Sequence, residues 1–498
     1  MPIPLPHRYS VITRIWRTCS KPLHAKVITR SRSTISFRSR PVQVTSITEY
    51  APRAGALVEF SAHVVGDPEP SSIPPSFNQR FHLGDLGEAE RVWIAGAFDV
   101  PGSLDVAALG WAFGYLIDRH DTLRSSFVST TTGIERMLYA PGAIEMELTA
   151  RSAFHSTPTL RDHLRTSLEL HCDARRFPSY TCFGIDRPDT STVLCAFDHV
   201  NVDAMSIAVV VDEIHALYDA YRRCPSNPKV DLPPVGGFVE YCRIEATEPL
   251  VNPADERMAA WSNFLLECGG TTPRFPFDLG VAEGETAVQA TTVNTLLDAS
   301  RTLDFEHLCA RSGAGMFAGV VAAIAQAVVC IGGPDQVPFL FPLHTRHRPQ
   351  FSRALGWFTT NAPMTVPVRA DLPDTIRAAH SAFRSALPLS TVPIPQVLAN
   401  LGDAFSLTRQ DVFMVSYIDY TRAEGHERFD ESNAHHISNA TVSDDAQFWI
   451  SRTRSGLALR SRFPDTAVAR AVMTAFVDEL ATLMRACTAN ADIGALTT

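Results

Sequence analysis

Apolar residues recur at two different periods along this chain, and the switch between them marks its most informative stretch. Thr192 to Phe197 is an apolar run of strand length, followed by the polar tip Asp198-His199-Val200-Asn201-Val202-Asp203. From Ile207 the period becomes helical: Ile207, Val210, Val211, Ile214, Leu217, Tyr218 and Tyr221 fall three and four apart and define one face. The pattern predicts a buried strand, a loop that carries His199, and then a helix. In layered α/β folds such strand-to-helix loops collect ligand-facing side chains.

The same two periods recur elsewhere. Leu104, Ala107, Leu109, Phe113 and Leu116 predict a helix that runs out through Asp118 to Phe127 into a strand, with Arg124 pointing off it. Further helices are predicted over 159–171, 238–247, 256–266, 305–312, 316–330, 375–387 and 467–487. Strands are predicted over 92–98, 180–184, 339–343, 365–368, 412–417, 448–452 and 457–462, and Leu355 to Met364 reads as a loop. Residues 223–237 are rich in Pro and Gly, which signals a boundary. The expected organisation is a tail over 1–42, a first lobe over 43–225, a linker over 226–237 and a second lobe over 238–498. Helices and strands alternate in both halves, so each is expected to be an α/β layer structure.

Composition narrows the function classes. The chain has 498 residues, 45% hydrophobic and 19% charged, which is globular and leaves ample core. A net charge of −9 gives no footprint for a nucleic-acid partner. Ten cysteines are scattered with no CxxC pair, so neither a zinc site nor a disulfide framework is indicated, and a reducing cytoplasm fits. The apolar stretch Gly313 to Ile331 is long enough to weigh as a membrane span, but it is Ala- and Gly-rich and interrupted by Gln326, so a buried core helix is expected. Residues 1–42 hold nine Lys or Arg, and the first acidic residue is Glu49. A disordered basic tail that touches anionic lipid, a targeting peptide and a misassigned start codon all fit; a tail dispensable for the fold is the expectation.

His199 carries the candidate chemistry. An imidazole titrates near neutrality and can take a proton from an alcohol. Asp203, four residues on, is placed to pair with an arginine and hold the loop, or simply to cap the following helix.

Several separated segments then agree with one another. Ser76-Phe77-Asn78-Gln79-Arg80, Arg119-His120-Asp121-Thr122-Leu123-Arg124 with Phe127, Asp198 to Ala204, and Gly356-Trp357-Phe358 with Asn361-Ala362-Pro363 occur in this order. Together they resemble the chloramphenicol-acetyltransferase-like superfamily of thioester-dependent acyltransferases. That group includes the condensation domains of nonribosomal peptide synthetases and the polyketide-associated (Pap) acyltransferases, some of which esterify trehalose-based glycolipids. The resemblance covers about residues 43–490. It implies an α/β fold of two similar lobes, each a mixed sheet with flanking helices, and an active-site tunnel between them.

The resemblance also assigns roles. His199 matches the family's reactive second histidine of HHxxxDG, while the first is replaced by Asp198 and the final Gly by Ala204. His199 is therefore expected to deprotonate an acceptor hydroxyl as it attacks an acyl thioester. Asp203 is expected to be structural, paired with Arg124. Asp198, if close and ionised, would raise the His199 pKa. Gly356, Trp357 and Asn361 are expected at the tunnel, although Trp357 also fits core packing and Asn361 a turn cap. Arg346 lies in the basic cluster His344-Thr345-Arg346-His347-Arg348, which suits an anionic acceptor or a CoA or phosphopantetheine phosphate as well as a solvated loop. No cofactor is expected beyond acyl-CoA or a phosphopantetheine-bound acyl group as co-substrate. Expected partners are that donor, a sugar or glycolipid acceptor and a polyketide synthase, with peripheral contact at the inner membrane face; a monomer is expected. The alternatives are a noncatalytic docking module for a carrier protein or synthase, and a stand-alone amide-forming condensation domain.

Overall fold

A computed structural model describes residues 43–84, 92–131, 133–422 and 426–489. The basic stretch 1–42 lies outside the described residues. Two seven-stranded sheets carry the chain, with a small three-stranded sheet beside them. The first runs in the order Gln43–Ser46, His435–Ser438, Trp93–Pro101, Thr190–Asp198, Tyr180–Asp186, Gly55–Val64, Ile144–Phe154. It is antiparallel apart from its first pair. The second runs Thr359–Pro367, Gln336–His344, Met414–Asp419, Gln447–Thr453, Gly456–Pro464, Ala287–Asp298, Val442–Ser443, and is mixed.

The near-continuous apolar run at Thr192–Phe197 is explained by burial on both faces. Val193, Cys195 and Phe197 face the core shared with helices Val106–Arg119 and Ala204–Arg223. Leu194 and Ala196 alternate to the other side, against Leu160, Leu164 and Leu168 of helix Thr157–His171. The second sheet packs one face on helices Ala299–Arg311, Met316–Cys330, Leu372–Ala386 and Ala467–Ala489. Met316–Cys330 sits inside that core with most of its side chains fully buried. Among the described residues no single helix is long and apolar enough to cross a membrane.

Two findings differ from the sequence reading. Residues 238–498 do not keep to their own sheet: His435–Ser438 crosses over and inserts between Gln43–Ser46 and Trp93–Pro101. Ile437 of this crossover strand is fully buried against Trp93 and Ala95 in the first half's core. The segment Thr359 to Met364, read as loop, belongs to strand Thr359–Pro367. Its turn-like residues are tolerated because that strand is at the sheet edge, where Pro363 needs no outer hydrogen bond.

The crossover makes the first half depend on the second. A fragment of residues 43–237 lacks Ile437 and its neighbours, and is expected to melt below the intact protein or not to fold cooperatively. Adding the fragment 238–498 in trans should restore a cooperative transition, read by circular dichroism. A fragment 43–237 as stable as the whole chain would contradict this.

Candidate active site

The strand Thr190–Asp198 ends in a tight turn. Asn201 N–H donates to Asp198 C=O (3.1 Å) and His199 N–H to Val92 C=O (2.8 Å). Side chains from elsewhere pin the loop carbonyls: Gln79 Nε2 donates to Val200 C=O (3.0 Å) and Thr122 Oγ1 to Asn201 C=O (3.1 Å). Asp203 then caps the helix Ala204–Arg223, accepting from Ser206 N–H at 2.8 Å in a reciprocal capping box. Ala204 is the first residue of that helix.

Asp203 pairs with Arg346, not with Arg124. Arg346 Nη1 and Nη2 donate to the two Asp203 oxygens at 2.7 and 2.8 Å, and both residues are buried. Phe358 N–H (3.1 Å) and Ser206 Oγ (2.8 Å) complete the carboxylate's shell. Burial alone would raise the Asp203 pKa, but Arg346 and the Ser206 hydrogen bonds outweigh it and hold the carboxyl below its usual range. Arg124 ends a 3₁₀ turn over Asp121–Arg124 instead of starting a strand. That tighter turn directs it to Tyr139 C=O at 2.5 Å, and leaves Thr122 to reach the motif loop.

The same arginine organises the Gly356 loop. Arg346 Nη2 also donates to Ser206 Oγ (2.9 Å) and Ala354 C=O (3.1 Å), and its guanidinium lies 4.4 Å over the Phe358 ring. Ser206 Oγ accepts from Gly356 N–H at 3.2 Å. A Cβ on Gly356 would stand 2.2 Å from the Phe238 ring, so the close approach requires glycine. Behind the loop, Arg353 donates to Asp212 (2.7 Å) and to Glu213 (3.3 Å), and Glu213 also meets Arg119 and His120 at 3.0 Å each. Burial would raise the Glu213 carboxyl, but His120, Arg119 and Arg353 together bring it below its usual value.

These contacts set Trp357 over the motif. Its ring centroid is 3.9 Å from that of His199 and 5.7 Å from that of His82. His199 Nδ1 is buried without a hydrogen-bond partner, whereas Nε2 is neither buried nor bonded, so Nε2 is the nitrogen open to a ligand. Burial, and then the His82 ring, lower the His199 pKa to about 4. Asp198 does raise it, but as the smallest of the named influences, so the expected upward shift is not found. The reason is geometric: Asp198 turns under the loop, accepting from Val200 N–H (2.8 Å) and Ala174 N–H (2.9 Å) and meeting His82 Nε2 at 2.8 Å. Asn361 sits opposite Pro342 in its strand, with a buried Oδ1 that has no partner, and makes no hydrogen bond to His199.

A profile of the Condensation domain family matches residues 72–493. The chain belongs to that family. Among similar proteins, Acyltransferase PapA3 of Mycobacterium tuberculosis is 27% identical over 454 residues, covering 87% of this chain and 94% of that one. Trehalose-2-sulfate acyltransferase PapA2 of the same organism is 26% identical over 446 residues, covering 86% and 93%. Of solved structures, a PapA2 acyl transferase superposes with a TM-score of 0.80 at 24% identity, over 90% of this chain and 99% of that one. The first condensation domain of the CDA synthetase gives 0.61 at 16% identity, over 82% and 95%. The condensation-domain fold thus contains the motif loop and its second-half anchor. Ser206, Glu213, Arg353 and His82 escaped sequence reasoning because none stands in a patterned spacing with His199. Ser206 was visible only as the third residue after a capping Asp.

The acid limb of the pH profile of kcat/KM is expected near pH 4, below the roughly 6.5 of a free imidazole. His82→Gln removes a neighbour that lowers the His199 pKa, so the limb should move to higher pH; a move to lower pH would contradict the assignment. In denaturant unfolding, Arg346→Ala should cost about 3–5 kcal/mol by stranding a buried carboxylate. Arg124→Ala should cost no more than about 1 kcal/mol, the worth of its hydrogen bond to Tyr139.

Proposed function

We propose that this condensation-domain protein is a thioester-dependent O-acyltransferase whose acceptor is a sugar of the trehalose glycolipid type. The observation that carries the reading is an accessible imidazole nitrogen on a neutral His199, held under Trp357 by the buried Asp203–Arg346 pair. A pKa lowered to about 4 leaves the ring unprotonated at neutral pH, the state a general base needs. The similar proteins named acyltransferases, one of them for trehalose 2-sulfate, support the transfer and the sugar class.

In this mechanism the acceptor hydroxyl loses its proton to His199 Nε2 as its oxygen bonds to the thioester carbonyl carbon. The tetrahedral oxyanion collapses, the C–S bond breaks, and the imidazolium returns the proton to the thiolate sulfur. Nδ1, buried without a hydrogen-bond partner, carries the ring's resident proton in this mechanism. Trp357 covers the ring and keeps bulk water from the thioester. Donor and acceptor approach along a tunnel between the halves, and the acyl group arrives on CoA or on the phosphopantetheine arm of a carrier protein, such as a polyketide synthase supplies.

Incubation with a long-chain acyl thioester, on CoA or on a carrier protein, and trehalose or a trehalose glycolipid should release free thiol and form a sugar ester, read by mass spectrometry. His199→Ala should lower the rate about 10²–10⁴-fold while leaving the melting temperature near that of the parent. Equal rates in the two proteins would end the general-base mechanism. Absence of transfer in both, with either donor, would favour a docking role for the fold; transfer to an amine alone would favour amide formation.

A further inference from the structure

Arg136 lies on strand Gly133–Leu138 of the small sheet and is 1% exposed. Nη2 donates to Gln79 Oε1 at 2.7 Å and to Cys242 Sγ at 3.1 Å, and the guanidinium carbon lies 5.9 Å from the centre of the Phe127 ring. Nε and Nη1 are buried without partners, and Arg136 forms no ion pair among the described residues. Arg460 lacks a carboxylate as well, but its hydrogen bond runs to Ser438 and not toward the His199 loop. A buried cation held by neutral groups alone is costly. In Arg136 that cost is borne next to a side chain that already pins the loop.

Gln79 joins the guanidinium to the loop. It is fully buried and is the third residue of helix Phe77–His82, where it completes the capping box with Ser76. Its Oε1 accepts from Ser76 N–H (3.1 Å) as well as from Arg136, and its Nε2 donates to the C=O of Val200, the residue after His199, at 3.0 Å. A backbone N–H and a guanidinium only donate, and a carbonyl only accepts, so the amide has one workable orientation. Of the two bonds on Oε1, the one from Arg136 is the shorter and is charge-assisted. It draws electron density toward Oε1 and strengthens the N–H donor that faces Val200. A glutamate in place of Gln79 would keep the cap and give Arg136 a counter-charge. It would also turn an oxygen toward Val200 C=O, where a donor is needed.

We propose that Arg136 is a positioning residue for the transfer reaction: acting through the Gln79 amide, it fixes the Val200 carbonyl and with it the direction in which the His199 ring is presented. An amide at Gln79 and an unpaired cation at Arg136 then favour the placement of the loop over the stability of the fold. The effect on rate rests on the acyltransferase reading, whereas the placement of the ring is measurable without transfer.

Arg136→Met removes the cation and leaves an apolar chain of similar reach, a change that keeps or raises the melting temperature where a buried charge was uncompensated. The same protein should lose about 3- to 10-fold in kcat, the worth of one hydrogen bond. Its KM for donor and acceptor should stay within about two-fold of the parent's. Gln79→Glu should lose at least as much rate, and Arg136→Lys, whose head also only donates, should recover part of the loss. In a Gln79→Leu background Arg136→Met should cause no further loss, because the path to the loop is already cut. The nuclear magnetic resonance signal of the His199 ring, in protein with isotope-labelled histidine and assigned by its absence from His199→Ala, should move in Arg136→Met and Gln79→Glu and return toward the parent's in Arg136→Lys. If Arg136→Met does not melt cooperatively, Gln79→Glu carries the test, since it retains both bonds on Oε1 and should still move the signal. An unmoved signal in the folded variants, a rate that falls only in step with the melting temperature, or additive losses in the Gln79→Leu background would overturn the proposal. A moved signal in a protein that transfers no acyl group would uphold the positioning and sink the acyltransferase. An unmoved signal with transfer intact would do the reverse.

Discussion

Asp203 and Arg346 meet across 143 residues of chain, both out of water, and a pair so placed must be complete. Each oxygen of the carboxylate receives a guanidinium nitrogen and a second donor, from Ser206 or from the Phe358 backbone. The same carboxylate caps the helix that follows the His199 loop. One contact therefore fixes the helix start, the Gly356–Phe358 backbone and the seat of Trp357. The crossover strand locks the halves together at a second place, and the Glu213 network holds the Gly356 loop from behind.

Charge is distributed unevenly around this anchor. Asp203, Glu213 and Asp198 are buried and each has cationic or hydrogen-bonding partners. His199 Nδ1 has no side-chain partner among the described residues, and burial, the largest influence, lowers the ring's pKa to about 4 and keeps it neutral. A neutral imidazole with one nitrogen open is what proton abstraction from a hydroxyl requires. Elsewhere such groups would weaken the fold without return.

Sequence reading found what local periodicity encodes. The helix Phe238–Thr247 and the strands on either side of the 186–190 turn were legible because their apolar positions repeat at 3.6 or 2 residues. The His199 loop was legible because the period changes there. Partners brought together over long range were not. The sequence reading paired Asp203 with Arg124 and left Arg346 to an anionic ligand or a solvated loop, and only the fold shows that Arg346 is the mate. His435–Ser438 is four residues with one core side chain, too short to carry a period. Asp198 looked like a neighbour able to charge His199, since adjacency in sequence says nothing of where a carboxylate turns.

The direct test of the anchor is a double-mutant cycle on Asp203 and Arg346, followed by denaturant unfolding. If the pair is one buried unit, Asp203→Ala and Arg346→Ala together should cost less than the sum of the single changes, with a coupling of about 1–3 kcal/mol. Losses that simply add, to within about 0.5 kcal/mol, would contradict the account.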